Sequence, residues 1–163
     1  RIGTIGALHM EMVDLLVPDA VVANLKAGSK KQALQELSQQ AATLTGLHER
    51  VIFDVLLQRE KLGTTGIGRG IAIPHGKMQE LKKLHGLFAR LPKAIDFDAI
   101  DEQPVDLIFM LLAPVSAGAD HLKALARVSR LLRDESVCAK LRGADDPEAL
   151  FALLTVPTNT PAA

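Results

Sequence analysis

A run of 17 residues from Glu60 to Gly76, EKLGTTGIGRGIAIPHG, constrains the fold more than any other part of the sequence. It contains five glycines, whereas an ordinary connection in a compact domain is short and needs few. Each glycine permits positive φ or the close approach of another backbone or a ligand. The run ends at Pro74, which fixes its own φ and favours an extended Ile73. We therefore predict that His75 is presented from a stiff strand end into a glycine turn.

The composition is that of one domain with an aliphatic core. The chain has 163 residues, 48% of them apolar, with five Phe and no Trp or Tyr. Nineteen basic and nineteen acidic residues cancel. Without a basic stripe or stacking aromatics, we expect no nucleic-acid partner. The single cysteine, Cys138, excludes an internal disulfide and a cysteine metal cluster, and its helical surroundings predict a small buried thiol.

The longest apolar run, Leu107–Ala113, has the length of a buried strand. It is far shorter than the roughly 18 residues of a membrane span. We therefore expect no membrane insertion and a cytoplasmic protein. The pair His9-Met10 resembles a cloning junction followed by a native start, so residues 1–9 are interpreted as the remnant of an expression tag. The domain is expected to span residues 10–155, with a loose tail over 156–163.

Turn residues and apolar periodicity predict alternating helices and strands. The predicted helices run from Ser29 as N-cap to Gly46, over Glu49–Lys61, from Asp120 as N-cap, over Glu135–Leu141 and over Pro147–Leu154. The predicted strands lie at Val21–Leu25, Ile71–Ile73, Leu84–Leu91 with an end at Pro92, and Val105–Leu112, with a polar turn over Lys77–Lys83. The predicted buried stripes are Val51, Ile52, Val55, Leu56 and Leu62 on the second helix, and Leu122, Leu125, Val128 and Leu132 on the third.

This alternation predicts an α/β fold, in which a single domain has a mixed parallel and antiparallel sheet with helices on both faces. The strands at Leu84–Leu91 and Val105–Leu112 are separated only by a loop, which permits an antiparallel pair. The second of these is continuously apolar, as in a central strand covered on both faces.

The segment Gly66–Gly70, GIGRG, superficially resembles a phosphate-binding glycine loop. It follows a helix and precedes a strand, which is the reverse of the order in dinucleotide and P-loop folds. A nucleotide site is therefore disfavoured, and a glycine hairpin required by the topology is the alternative. We still predict that at least one of Gly66→Ala, Gly68→Ala and Gly70→Ala melts within a few degrees of wild type yet accepts phosphate much more slowly, as expected if these glycines form a cradle.

His75 is the leading candidate for chemistry, because a histidine between proline and glycine is seldom a core residue. A structural turn histidine is the alternative. The sequence has no G-x-S-x-G for serine chemistry and no HxH, HExxH or CxxC for a metal site. A nucleophilic histidine remains, and a phosphoryl group is its natural cargo.

Two further residues could support such a site. His121 falls in the first turn of a predicted helix, where the positive helix end disfavours imidazolium and favours an anion; an exposed histidine is the alternative. Arg59 ends the helix before the glycine run, and its guanidinium fork suits phosphate, although solvated surface is the commoner role there. His48 and His85 are interpreted as structural.

Glu60, six residues, Ile67-Gly68, two residues and then IAIPHG at Ile71–Gly76 match the phosphohistidine signature of the fructose/mannitol-type IIA domains of the bacterial sugar phosphotransferase system. From about Met10 to Thr155 the chain resembles the nitrogen-regulatory branch of that family. The segments LLQREKLGTTGIGRGIAIPHG and DLIFMLLAPVSAGADHLKALARVSRLLRD are typical of it.

The resemblance implies that His75 accepts a phosphoryl group on Nε2 from a small HPr-like phosphocarrier. It also implies that His121 is a neutral supporting histidine beside it and that Arg59 helps to hold the phosphate. No cofactor or metal is expected. The implied partners include regulatory targets such as potassium transporters or sensor kinases. A sugar-transport component that passes phosphate to a IIB domain is the alternative, and a small-molecule hydrolase is a more distant one.

Overall fold

The computed structural model describes residues 10–157; residues 1–9 and most of the predicted tail lie outside this range. Within residues 10–157, six strands form one mixed sheet, which confirms the predicted fold class. They are β1 (Val21–Val22), β2 (Gly66–Gly68), β3 (Ile71–Ala72), β4 (His75–Met78), β5 (His85–Ile95) and β6 (Val105–Pro114).

The central strand is β6, as its continuous apolar sequence predicts. It pairs antiparallel with β5 along one edge, and parallel with β3 and then β4 along the other. β1 runs parallel to β5, and β2 is antiparallel to β3. Alternate β6 side chains enter two separate cores: Leu107, Phe109 and Leu111 enter one, and Ile108, Met110 and Leu112 enter the other.

In the described part of the chain, five α-helices cover the two faces of the sheet. They are α1 (Lys30–Thr45), α2 (Glu49–Lys61), α3 (Ala119–Arg133), α4 (Glu135–Gly143) and α5 (Pro147–Leu154). α1 and α2 pack against one face, and α3, α4 and α5 pack against the other. Ser29 caps α1 by accepting from the Gln32 N–H, and Gly46 ends it at φ 78°, as predicted. Cys138 is buried, also as predicted.

Three predicted strand boundaries are wrong. β5 continues through Pro92 to Ile95, since the pairing register shifts between Arg90 and Ile95 and a proline without an N–H fits such an irregularity. The predicted turn over Lys77–Lys83 begins as strand instead, because β4 pairs with β6 up to Met78. β1 is shorter than predicted and ends at Val22.

Two predicted helix stripes are also partly wrong. On α2 the buried residues are Ile52, Leu56 and Glu60, so Val51 and Leu62 are exposed. The N-cap of α3 is Gly118, not Asp120. The buried face of α3 starts at His121 and continues through residues 124, 128, 131 and 132, so Leu122 is 68% exposed. In both helices the buried face includes a polar residue that lies outside the predicted stripe, Glu60 in α2 and His121 in α3.

Among residues 10–157, no helix combines the length and apolar character that crossing a bilayer requires.

Candidate functional site

His75 lies at the edge of the sheet, where β3 ends and β4 begins. Pro74 separates the two short strands, and its carbonyl accepts a hydrogen bond from the Leu111 N–H at 2.9 Å. His75 itself is opposite Leu111 in the parallel pairing with β6. The imidazole is therefore attached to backbone that is held by the central strand, and not to a free glycine turn as predicted.

The hydrogen bonds of His75 determine its tautomer. Nδ1 lies 2.8 Å from the carbonyl oxygen of Ile73. A carbonyl can only accept, so Nδ1 carries the proton in this contact. Nε2 is then the nitrogen without a proton, and its lone pair accepts from the Arg59 Nε–H at 3.3 Å. The unprotonated, nucleophilic nitrogen of His75 is thus Nε2.

Arg59 reaches His75 from the last turn of α2. Its Nη1 donates to the carbonyl of Gly63 at 2.8 Å, which anchors the guanidinium to the turn that follows the helix. The sequence predicted that Arg59 faces the glycine run, and the structure brings it to the histidine itself. Two hydrogen bonds, to the Gly63 carbonyl and to His75 Nε2, therefore hold the guanidinium beside Nε2.

His121 is the third residue of the site. It lies in the first turn of α3 and is 6% exposed, so the alternative of an exposed surface histidine is wrong. Its ring centroid is 5.8 Å from that of His75, with the ring planes at 52°. Its Nδ1 is buried and finds no hydrogen-bond partner among the described residues, which leaves polar capacity beside the cavity.

These three side chains line one open cavity of about 430 Å³. The other residues that line it are Val55, Gln58, Leu62, Gly76 and Lys77. A second cavity of about 550 Å³, between α1 and α2, is lined by other residues. The cavity at His75 is the candidate site because the histidine pair and the arginine converge there.

The surroundings of both histidines favour the neutral ring. Burial lowers the pKa of His75 below its ordinary value of 6.5. The Ile73 hydrogen bond opposes this shift, the Arg59 charge adds to it, and the Glu60 charge opposes it. Burial also lowers the pKa of His121, and the nearby His75 and Lys77 lower it further. At neutral pH both rings are therefore uncharged.

The glycines that the sequence suggested as a phosphate cradle lie elsewhere. Gly66, Gly68 and Gly70 belong to the β2–β3 hairpin, and none of them lines the cavity. A Cβ at Gly66 would meet Ala99, one at Gly68 would meet Asp101, and one at Gly70 would meet the Arg142 and Asp106 side chains. This placement contradicts the cradle interpretation and agrees with the glycine hairpin.

His48 and His85 have structural positions, as predicted. His48 is the N-cap of α2, where Nδ1 accepts from the Arg50 N–H at 3.1 Å. His85 begins β5 opposite Leu112. Neither of them lines the cavity at His75.

Sequence reasoning missed Lys77, which lines the cavity. Its spacing of two from His75 would place both side chains on one face of a strand, but the segment was predicted as a turn.

Comparison with known proteins finds one matching family model and several similar proteins. The model of the family described as "Phosphoenolpyruvate-dependent sugar phosphotransferase system, EIIA 2" matches residues 14–156. A protein of Bradyrhizobium diazoefficiens named nitrogen regulatory protein is 59% identical over 153 residues, covering 94% of this chain and 100% of the relative. A Haloferax volcanii protein named PTS system fructose-specific EIIA component is 37% identical over 146 residues, covering 89% of this chain and 90% of the relative.

A crystal structure described as nitrogen regulatory protein IIA-Ntr from Neisseria meningitidis is also similar. It superimposes with a TM-score of 0.84 at 35% sequence identity, covering 88% of this chain and 99% of the other.

Proposed function

Because the chain belongs to the EIIA 2 family of the phosphoenolpyruvate-dependent sugar phosphotransferase system, we propose that it accepts a phosphoryl group on Nε2 of His75. The donor is a phosphohistidine on a small HPr-like carrier. The observation that carries this proposal is the state of His75: Nδ1 donates to Ile73, so the unprotonated nitrogen is Nε2, whose lone pair accepts from Arg59 at an open cavity.

The transfer balances without a cofactor or metal. The Nε2 lone pair attacks phosphorus, an Nε2–P bond forms, and the N–P bond of the donor breaks. The donor imidazole keeps the electron pair of the broken bond. His75 keeps its proton on Nδ1 throughout, where the Ile73 carbonyl stabilises the developing positive charge of the ring.

Arg59 and His121 have supporting roles in this proposal. The Arg59 guanidinium, which lies at Nε2, turns its N–H donors to the phosphoryl oxygens as the bond forms. His121 is neutral and close, and it contributes one further N–H donor to those oxygens. Catalysis of phosphoryl transfer consists mainly of such positioning and charge stabilisation.

The output of the protein is regulatory in this proposal. The relative with 59% identity is named a nitrogen regulatory protein, and the match covers most of both chains. Phosphorylated and unphosphorylated forms would bind regulatory targets differently, with potassium transporters and sensor kinases as examples of such targets. Addition of a dianionic group beside Arg59 and Lys77 cancels their positive charge, which gives a target a physical difference to recognise.

The test is phosphorylation by phosphoenolpyruvate and the upstream carrier proteins. We expect one acid-labile, base-stable phosphate on the protein, with the ³¹P and ¹⁵N NMR signals of an Nε2-phosphohistidine. His75→Ala should accept none. His48→Asn is the control, because asparagine preserves the α2 N-cap and lies outside the cavity. Undiminished labelling of His75→Ala, or a phosphate on Nδ1, would contradict the proposal.

The alternative is a sugar-transport component. The Haloferax volcanii relative, named a fructose-specific EIIA component, favours it. The phosphorylated protein would then pass its phosphate to a purified IIB domain of the fructose or mannitol type. Retention of the phosphate in that assay supports the regulatory role instead. So does a pull-down in which His75→Ala and His75→Asp bind different target proteins.

A further inference from the structure

Glu60 follows Arg59 in the chain and is buried at 7% exposure. Its carboxylate is held by three donors. Oε1 accepts from the Thr65 N–H at 3.0 Å and pairs with Lys30 Nζ at 2.9 Å. Oε2 accepts a short hydrogen bond from the Thr65 hydroxyl. Thr65 is itself buried at 4% exposure.

These contacts continue to both nitrogens of His75. The carbonyl of Thr65 accepts from the Ile73 N–H at 3.0 Å. The carbonyl of Ile73 in turn accepts from His75 Nδ1. On the other side, Arg59, the neighbour of Glu60, donates to His75 Nε2. The contacts therefore form a closed ring that starts and ends at the last turn of α2.

We propose that Glu60 and Thr65 are positioning residues for phosphoryl transfer to His75. Through Thr65 and Ile73 the Glu60 carboxylate keeps the Nδ1–H oriented, and by fixing the end of α2 it keeps Arg59 at Nε2. This inference rests on the function proposed above. Neither residue touches the phosphoryl group, since neither lines the cavity.

The burial of this closed ring of contacts makes the Glu60 carboxylate a suitable anchor for it. A buried carboxylate that is fully hydrogen-bonded is rigid, whereas one that loses a donor is costly. Lys30 supplies the compensating charge from the start of α1, and its ammonium group also lies 4.9 Å from the Phe97 ring centroid. The ring thus ties α1, α2 and the β2–β3 segment to the orientation of one imidazole.

The test uses three variants of the ring. Thr65→Val removes the hydroxyl at nearly constant shape, Thr65→Ser keeps it, and Glu60→Gln removes the charge. Asp106→Asn is the matched control, because Asp106 makes a bidentate pair with Arg142 at 2.9 Å near the end of β6 remote from Leu111. The measurements are the melting temperature, the phosphorylation rate against carrier concentration, and the ¹⁵N spectrum of His75.

We expect Thr65→Val and Glu60→Gln to lower the maximal rate by about tenfold, which corresponds to about 1.4 kcal/mol of transition-state stabilisation. The carrier concentration at half-maximal rate should stay within about twofold. Their ¹⁵N spectra should show His75 shifting from the Nδ1–H tautomer toward a tautomer mixture. Thr65→Ser should behave as wild type. Asp106→Asn should be less stable but keep the wild-type phosphorylation rate and the Nδ1–H tautomer of His75.

Wild-type rates in folded Thr65→Val and Glu60→Gln overturn the inference. So does a loss of rate in Asp106→Asn that equals theirs at the same loss of stability. If Glu60→Gln does not fold, Thr65→Val decides. Failure of the wild-type protein to accept phosphate would instead overturn the proposed function. In that case the ¹⁵N spectra still decide whether the ring orients His75.

Discussion

At the residue scale, the two nitrogens of one imidazole have different partners and therefore different roles. The Ile73 carbonyl keeps the proton on Nδ1, and a cation lies at Nε2. The cation makes protonation of Nε2 unfavourable. It also provides donors for an anion that would be bound there. In the proposed function, the same arginine thus keeps Nε2 of His75 unprotonated and supplies donors for the phosphoryl group.

Two substitutions of Arg59 separate the effect of its charge from that of its geometry. Arg59→Gln should raise the pKa of His75, because removal of the positive charge favours the imidazolium. Arg59→Lys should leave that pKa low but lose the planar fork. We expect both variants to accept phosphate at least about tenfold more slowly, since hydrogen bonds to charged groups contribute about 1.5–3 kcal/mol. NMR titration of His75 and the labelling rate check this. An unchanged pKa in Arg59→Gln would show that the charge does not act on His75.

His121 should affect transfer as well as packing. His121→Ala removes a buried ring, so we expect a loss of stability and a slower, more readily reversed phosphorylation. His85→Gln is the control, because His85 is a partly buried histidine outside the cavity. It should change the melting temperature without changing the labelling rate. If His121→Ala gains and loses the phosphoryl group at the same rates as wild type, His121 contributes only to packing.

At the scale of the elements, local signals predicted helix ends better than strand ends. Ser29, Gly46 and Pro147 act through their own backbone and neighbours, so α1 and α5 begin and end where expected. Strand ends depend on the partner strand. Pairing with β6 forms β4 after Pro74 and accompanies β5 past Pro92, and no local signal carries that information.

The residues of the candidate site also divide into those that local sequence predicted and those that depend on the fold. His75 and Arg59 were predicted because they lie in one short motif. The ring through Glu60 and Thr65 was not predicted, because its contacts to Lys30 and Ile73 require the folded positions of α1 and β3. Lys77 was missed because its strand was not recognised. The interpretation of the glycine run failed for a related reason: positive φ at Gly68 and Gly70 serves a hairpin, which sequence alone does not distinguish from a cradle.

A pair of glycine substitutions separates hairpin architecture from the site. Gly70→Ala should be destabilised, because φ is +81° and the new Cβ would lie 2.5 Å from Arg142 Nη2; a left-handed alanine costs roughly 1–2 kcal/mol. Wherever it is folded, it should accept phosphate at the wild-type rate. Gly76→Ala should accept phosphate more slowly, because its Cβ would collide with Val55 Cγ1 and push α2, with Arg59, away from β4. Thermal melting and labelling rates measure both effects. The opposite ranking of the two rates would contradict this assignment.

At the scale of the whole molecule, the site forms where the two helical layers meet at the sheet edge. α2 packs with one core and α3 with the other, yet Arg59 and His121 both reach the cavity at His75. β4 makes this possible, because it pairs with β6 beyond the end of β3 and lies between the two helices. The geometry of the site therefore depends on the packing of both faces.

The same burial makes the stability of the whole protein depend on pH. The pKa values of His75, His85 and His121 are all lowered from 6.5, mainly by burial. Just below pH 6.5 the unfolded chain therefore binds more protons than the folded one, and the free energy of unfolding decreases as the pH falls through this window. Urea unfolding between about pH 7.5 and about pH 5 should show this decrease. His121→Gln, which cannot titrate, should be less stable at neutral pH but lose less stability on acidification. A free energy of unfolding that stays level or rises over this range would show that the folded protein accepts protons on these rings as readily as the unfolded chain.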